Sequence, residues 1–120
     1  MEEKMSKPIV YVIYEPMKFD AASHTVKRWA DLSPAAEFGD LKFILPAGQV
    51  PMDLSGLLPK LKDAFKDFRS TDYLMAIGNP ALLAWGAALA SKAAQGKLQV
   101  LVWQTSAKRY QAVAADLFTL

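Results

Sequence analysis

The chain has no cysteine and only one histidine in 120 residues. The first absence removes disulfides, thiolate metal ligands and thiol nucleophiles together, and it fits a reducing compartment. The second excludes a multi-histidine metal site, and any serine triad would have to use His24, with Ser23 beside it and Asp20 nearby. Adjacency in a loop is not triad geometry, so His24 reads as an exposed loop residue, and neither a metal nor a cofactor is expected. Long apolar runs are also missing. Ile9 to Tyr14 is too short for a signal-peptide core, and Pro80 to Ala90, bounded by Lys92, falls short of the roughly twenty residues that span a bilayer. No membrane partner and no export are expected. Charge of one sign is scarce as well: a net charge of +2 does not indicate a broad polyanion-binding surface. From Tyr73 onward four bases stand against one acid, net +3, which leaves the first part at −1. That asymmetry most often marks solvated surface.

What is present is ordinary for a globular chain, 52% hydrophobic and 22% charged, and residues 1–120 read as one domain with one core. Three stretches rich in β-branched and aromatic residues predict strands: "IVYVIY" (Ile9 to Tyr14), "LKFIL" (Leu41 to Leu45) and "LQVLVW" (Leu98 to Trp103). "YLMAI" (Tyr73 to Ile77) is a weaker fourth. Several are apolar on both faces, which suits interior strands of a sheet covered on two sides. Between them, "SPAAEFG" predicts a short helix with Ser33 as cap and Pro34 in first position. Leu54 to Phe68 predicts an amphipathic helix, with Pro59 as an alternative start. Pro80 to Gln95, closed by Gly96, is a long apolar helix. Pro16 to Leu32 has little periodicity and reads as a long loop, extended around Val26 to Trp29. In the tail, Tyr110, Val113, Ala114, Leu117 and Phe118 fall at helical spacing, yet Lys108-Arg109 could also turn a hairpin.

These landmarks, "YVIYEP" (Tyr11 to Pro16), "DLSPAAEFGDLKFILP" (Asp31 to Pro46), "DYLMAIGNPALLA" (Asp72 to Ala84) and "LVWQTSAKRY" (Leu101 to Tyr110), occur in order over most of the chain. Together they resemble a family of small, functionally uncharacterised bacteriophage proteins. The resemblance implies a phage protein working in the host cytoplasm, with no established activity to carry over, and a C-terminal β-hairpin. It also implies an acidic residue after the tryptophan; this sequence has Gln104 there, so no role for that acid is carried over. The fold expected is therefore α/β: a mixed, mainly parallel sheet of four or five strands, helices on its faces, and a hairpin at the end.

If the strands are parallel, their carboxyl ends deliver Glu15, Gly48, Gln49, Gly78, Asn79 and Gln104 to one edge, where ligands of open α/β sheets bind. Glu15 is the lone carboxylate of this set, and one carboxylate cannot do paired acid/base work. At Gly78-Asn79-Pro80 two readings share one geometry. Asn79 caps the helix and Pro80 fits its first turn, or the helix start receives a phosphate or carboxylate. Neither G-x-G-x-x-G nor a G-K-[ST] ending is present. Lys108, Arg109 and Tyr110 put a basic pair beside a ring that could stack a base. Trp103, flanked by Leu101 and Val102, is expected in the core. The helix from Ala81 to Ala90 has no polar face, so Ala84, Trp85 and Ala88 either meet a second copy or lie under the loop from Pro16 to Leu32. The function expected is a non-enzymatic accessory protein that self-associates and engages a host or phage protein. The alternatives are a small-molecule, nucleotide or phosphate binder at the Gly78 turn, and a nucleic-acid binder at Lys108 to Tyr110.

Overall fold

The structure is a computed structural model that describes residues 7–14, 17–28, 31–45 and 53–119. Strands β1 (Ile9–Tyr14), β2 (Met17–Asp20) and β3 (Thr25–Arg28) are followed by β4 (Asp40–Leu45), helix α1 (Leu58–Phe65) and β5 (Tyr73–Met75). Helix α2 (Pro80–Ala93), β6 (Lys97–Gln104) and β7 (Arg109–Asp116) complete the chain. Five strands form one sheet in the order β4-β1-β5-β6-β7, parallel except for the antiparallel β6–β7 pair. This is the mainly parallel α/β sheet that the apolar strands predict, closed by the C-terminal hairpin.

Alternation along each strand divides the core into two layers. Tyr11, Ile13, Leu74 and Leu98 point to the face covered by α1 and α2, where Leu61, Phe65, Phe68, Leu82 and Ala90 meet them. Val10, Val12, Met75 and Leu101 point to the other face, which receives Leu32, Ala35 and Tyr110. Both α-helices share one face, and a 3-10 turn, Ser33–Glu37, is what covers the other. Gly86 lets α2 approach closely: a Cβ there would lie 3.1 Å from the Phe65 ring and 3.2 Å from Ile13 Cδ1.

Three local expectations are corrected. The segment read as a long loop contains a two-stranded hairpin, β2–β3, turned through Ala21 to His24, with His24 at a φ of 55°. Its four-residue strands are too short to show a period. Ser33 does not cap the Ser33–Glu37 turn; Asp31 Oδ1 accepts from both the Ser33 N–H (3.0 Å) and its hydroxyl (2.7 Å). The predicted helix from Leu54 splits into a 3-10 turn, Leu54–Leu57, and α1, with Pro59 in the first turn of α1 where its missing N–H costs nothing.

An ion pair between buried Asp72 and the partly exposed Arg69 fastens the amino ends of the strands. Asp72 is 0% exposed. It accepts from Arg69 Nη2 (2.8 Å), Arg69 Nε (3.1 Å), the Arg69 backbone N–H (2.9 Å) and the Ile9 N–H (2.9 Å). Gln99 Nε2 donates to the Ser70 and Asp72 carbonyls, and Arg69 Nη2 also donates to the Lys7 carbonyl. β1, β5 and β6 are thus tied together through one carboxylate and its neighbours.

Burial raises the Tyr110 phenol above its ordinary value, with Asp31 adding to the rise; burial also raises Tyr11, with Asp72 adding. The folded chain holds these protons more tightly than the unfolded one. Their stabilising contribution is therefore complete below about pH 10, the unperturbed tyrosine value, and is lost as pH rises through the raised values. The denaturation midpoint should fall above about pH 10, and less steeply in Tyr110→Phe. An identical alkaline slope in that variant would contradict the assignment.

Candidate functional site

The parallel strands bring their carboxyl ends to one edge, and the strand order reverses between β1 and β5, so the switch point lies between Tyr14 and Ile77-Gly78. Gly78 has a φ of 130°, and a Cβ on it would touch Tyr14 Cε1 at 3.4 Å. The Asn79 side chain accepts from the Ala81 N–H (2.9 Å) and the Leu82 N–H (3.3 Å), and the Asn79 carbonyl accepts from the Leu83 N–H. The first-turn donors Ala81 and Leu82 are therefore already engaged by the cap. Glu15, Gly48 and Gln49, expected at this edge, lie outside the described residues, as does Trp29.

Gln104, at the end of β6, stands opposite Arg109 across the hairpin. The turn between them, Thr105 to Lys108, is closed by the Lys108 N–H on the Gln104 carbonyl (2.7 Å), and Lys108 adopts a φ of 53°. The hairpin therefore gathers Gln104, Lys108, Arg109 and Tyr110 at one tip. Beside them lies a shallow cavity of about 370 Å³ lined by Phe38, Gln104, Arg109 and Tyr110. Arg109 lies 3.7 Å from Glu37, an exposed pair of small energetic consequence. Tyr110 is buried, its hydroxyl donating to the Asp31 carbonyl at 3.4 Å, and Trp103 meets it edge to face with centroids 5.0 Å apart.

Trp103 itself corrects the sequence expectation: it is 42% exposed. It shares a face with Leu101 but lies at the hairpin tip, where its ring meets Tyr110 edge to face and is otherwise open to solvent. Other exposed apolar side chains lie elsewhere on the hairpin: Val113 at 49%, opposite Val100 on the other face of the sheet, and Leu117 at 54% and Phe118 at 61% just past the end of β7. On α2, Ala84 and Ala88 face solvent in a stripe with Pro80 and Lys92, whereas Trp85 is half-buried against the larger core cluster. Leu32, the end of the segment offered as an alternative cover for α2, lies on the opposite face of the sheet.

A second groove, about 430 Å³, runs between α1 and α2, with Phe65, Leu89 and Ala93 below Lys62, Lys66 and Lys92. Lys66 is paired with Asp63 at 2.9 Å. Among the described residues no group of three His, Cys, Asp or Glu side chains could hold a metal ion, and no helix is long and apolar enough to cross a membrane.

Sequence reasoning missed Asp72, since one aspartate before a strand forms no motif. The available signal was Arg69 three residues upstream, at the spacing of a turn.

An open, mainly parallel five-stranded sheet with two helices on one face and a terminal hairpin defines a small α/β domain. Within that class, the chain belongs to the Phage Pam3 gp32-like protein family, which it matches over residues 8–117. No curated protein and no solved structure matches it.

Proposed function

We propose that the protein is a phage accessory module that works by binding, through association with a second copy and a further protein partner, and not by catalysis. The observation that carries this reading is the set of large apolar side chains left exposed on the β6–β7 hairpin: Trp103 on one face, Val113 on the other, and Leu117 and Phe118 after the end of β7. Large apolar side chains gathered in the open on one hairpin of a small domain are candidates for an interaction site. The Ala84 and Ala88 stripe on α2 adds small side chains that permit close approach. The missing cysteine fits work in the host cytoplasm. Light scattering at tens of micromolar should give twice the 13.2 kDa chain mass; a mass of one chain would overturn the reading.

The position of Gly78 at the switch point favours one alternative, an anion site at the start of α2. Since Asn79 now holds the Ala81 and Leu82 donors, a phosphate would have to displace its side chain. Thermal shift with inorganic phosphate should then show stabilisation that Asn79→Asp abolishes. No shift in the natural chain removes this alternative.

A further inference from the structure

We infer that the second copy joins edge to edge along β7, in the register that places Ala112 on the two-fold axis and brings Lys108, in the turn just before the strand, beside the partner's Asp116. This deepens the self-association reading above and rests on it. Its starting point is the direction of the backbone groups of β7.

The Leu117 N–H donates to the Gly96 carbonyl at 2.7 Å, and the β6–β7 register continues from Leu98↔Ala115 to Gln104↔Arg109. Antiparallel ladders alternate, so the odd-numbered residues of β7 direct their N–H and C=O groups to β6. Those of Tyr110, Ala112, Ala114 and Asp116 point to the open edge. The bond from the Ala76 N–H to the Leu101 carbonyl, 3.0 Å, fixes the same phase from the far side of β6, since it turns Leu101 towards β5.

Between its charged end residues, Arg109 and Asp116, β7 carries none of the devices that protect a sheet edge. From Tyr110 to Ala115 it has no proline, no glycine and no charge. At the other end of the sheet, β4 carries exposed Asp40 and Lys42, and Lys7 Nζ pairs with Asp40 at 3.2 Å. The edge left bare is the eight-residue one.

Symmetry then restricts the pairing. A two-fold axis normal to the sheet makes the two β7 strands antiparallel and keeps each face on its own side. Residues opposite one another must therefore share a face, and their numbers must sum to an even value. The edge-facing groups are those of the even residues, so two central registers use the strand fully. With Val113 on the axis, Tyr110 would face the partner's Asp116 and Arg109 the partner's Leu117. With Ala112 on the axis, Tyr110 faces the partner's Ala114, and at both ends Lys108, in the turn that precedes β7, comes beside the partner's Asp116. Opposite charges placed across strands are favourable, so the Ala112 register is selected. Leu101, Trp103, Tyr110, Ala112 and Ala114 lie on one face, and the seam joins two such apolar surfaces.

The experiment is light scattering combined with amide hydrogen exchange at several concentrations, on the natural chain and on Ala112→Pro. The Ala112 N–H points outward, so proline there spares the β6 ladder, as edge strands allow. The expected result is a dimer in which the Tyr110, Ala112, Ala114 and Asp116 amides gain protection with concentration, and an Ala112→Pro chain that is folded and monomeric. A natural chain that stays monomeric sinks both this inference and the reading beneath it. A natural dimer that survives Ala112→Pro overturns the β7 edge while leaving self-association intact.

The register has its own test, which also serves if the proline variant unfolds. Lys108→Asp and Asp116→Lys, each alone, should weaken the dimer about tenfold, and together they should restore it. Asp116 also faces Lys97 and accepts from Thr119 Oγ1 and the Phe118 N–H, so the readout is the dissociation constant of folded chains. Failure of the double change to restore association rejects the Ala112 register.

Discussion

Asp72→Ala should cost about 2–3 kcal/mol of folding stability, less than the removal of one member of a fully buried ion pair, because the Arg69 side chain is 40% exposed. The physical reason is the number of groups left without an acceptor. The Arg69 guanidinium loses both its contacts to the carboxylate, and the Arg69 and Ile9 N–H groups are orphaned beside it. Water cannot replace the lost acceptor easily, because the carboxylate it would stand in for is fully enclosed. Against a total stability of roughly 5–15 kcal/mol the loss is large, and chemical denaturation should show a lower midpoint with the slope retained. Arg69→Met should cost a comparable amount, since it leaves a carboxylate in the interior with backbone donors alone. The double variant should cost less than the sum, because the two residues act on one interaction. A loss below about 1 kcal/mol for Asp72→Ala would show that the network is not what holds these strand ends together.

Gly39→Ala is the second large effect, expected at about 3 kcal/mol, at the upper end of what overpacking costs. A methyl group at Gly39 would collide with the carbonyl oxygen of Pro8 and come within 2.7 Å of its carbonyl carbon. That backbone has little freedom to retreat: the Pro8 carbonyl accepts from the Asp40 N–H at 3.0 Å, just where β1 and β4 begin their parallel pairing at Ile9↔Asp40. Relief would have to come from separating the two strands. Gly56 is the matched control. No atom beyond its chain neighbours lies within 4 Å of a Cβ there, so Gly56→Ala should stabilise the chain by about 0.5 kcal/mol through the unfolded state. Thermal melts of the two variants should therefore move in opposite directions.

The elements with many residues to average over were legible in the sequence. Four strands and the helix beginning at Pro80 followed from apolar runs and from the Asn79-Pro80 and Gly96 boundaries, and two-sided apolarity indicated a parallel sheet. The β2–β3 hairpin was not legible, because four-residue strands cannot display a period. β7 was ambiguous for a different reason: alanines at 112, 114 and 115 have low strand propensity, and pairing with β6 overrides it. Trp103 was misread as core because apolar neighbours along a strand say nothing about what covers its face. That information belongs to the packing at the hairpin tip, where Tyr110 meets the edge of the indole and leaves the rest in solvent.

The candidate site shows the same division. The edge to which Gly78, Asn79 and Gln104 are delivered follows from parallel strands alone, and the structure places them there. Whether Asn79 serves the helix or a ligand depends on the aim of one side-chain oxygen, and a sequence carries no such aim. The gathering of Gln104, Lys108, Arg109 and Tyr110 at a single tip required the hairpin, which periodicity alone argued against.

The two rims of the sheet are unlike, and this bears on how far assembly can proceed. A union that consumes the β7 rim on each molecule leaves the Asp40 and Lys42 rims outermost, where they discourage further strands. Growth then halts at a pair: the same asymmetry that makes one side adhesive denies the product a second adhesive side, so filaments do not follow.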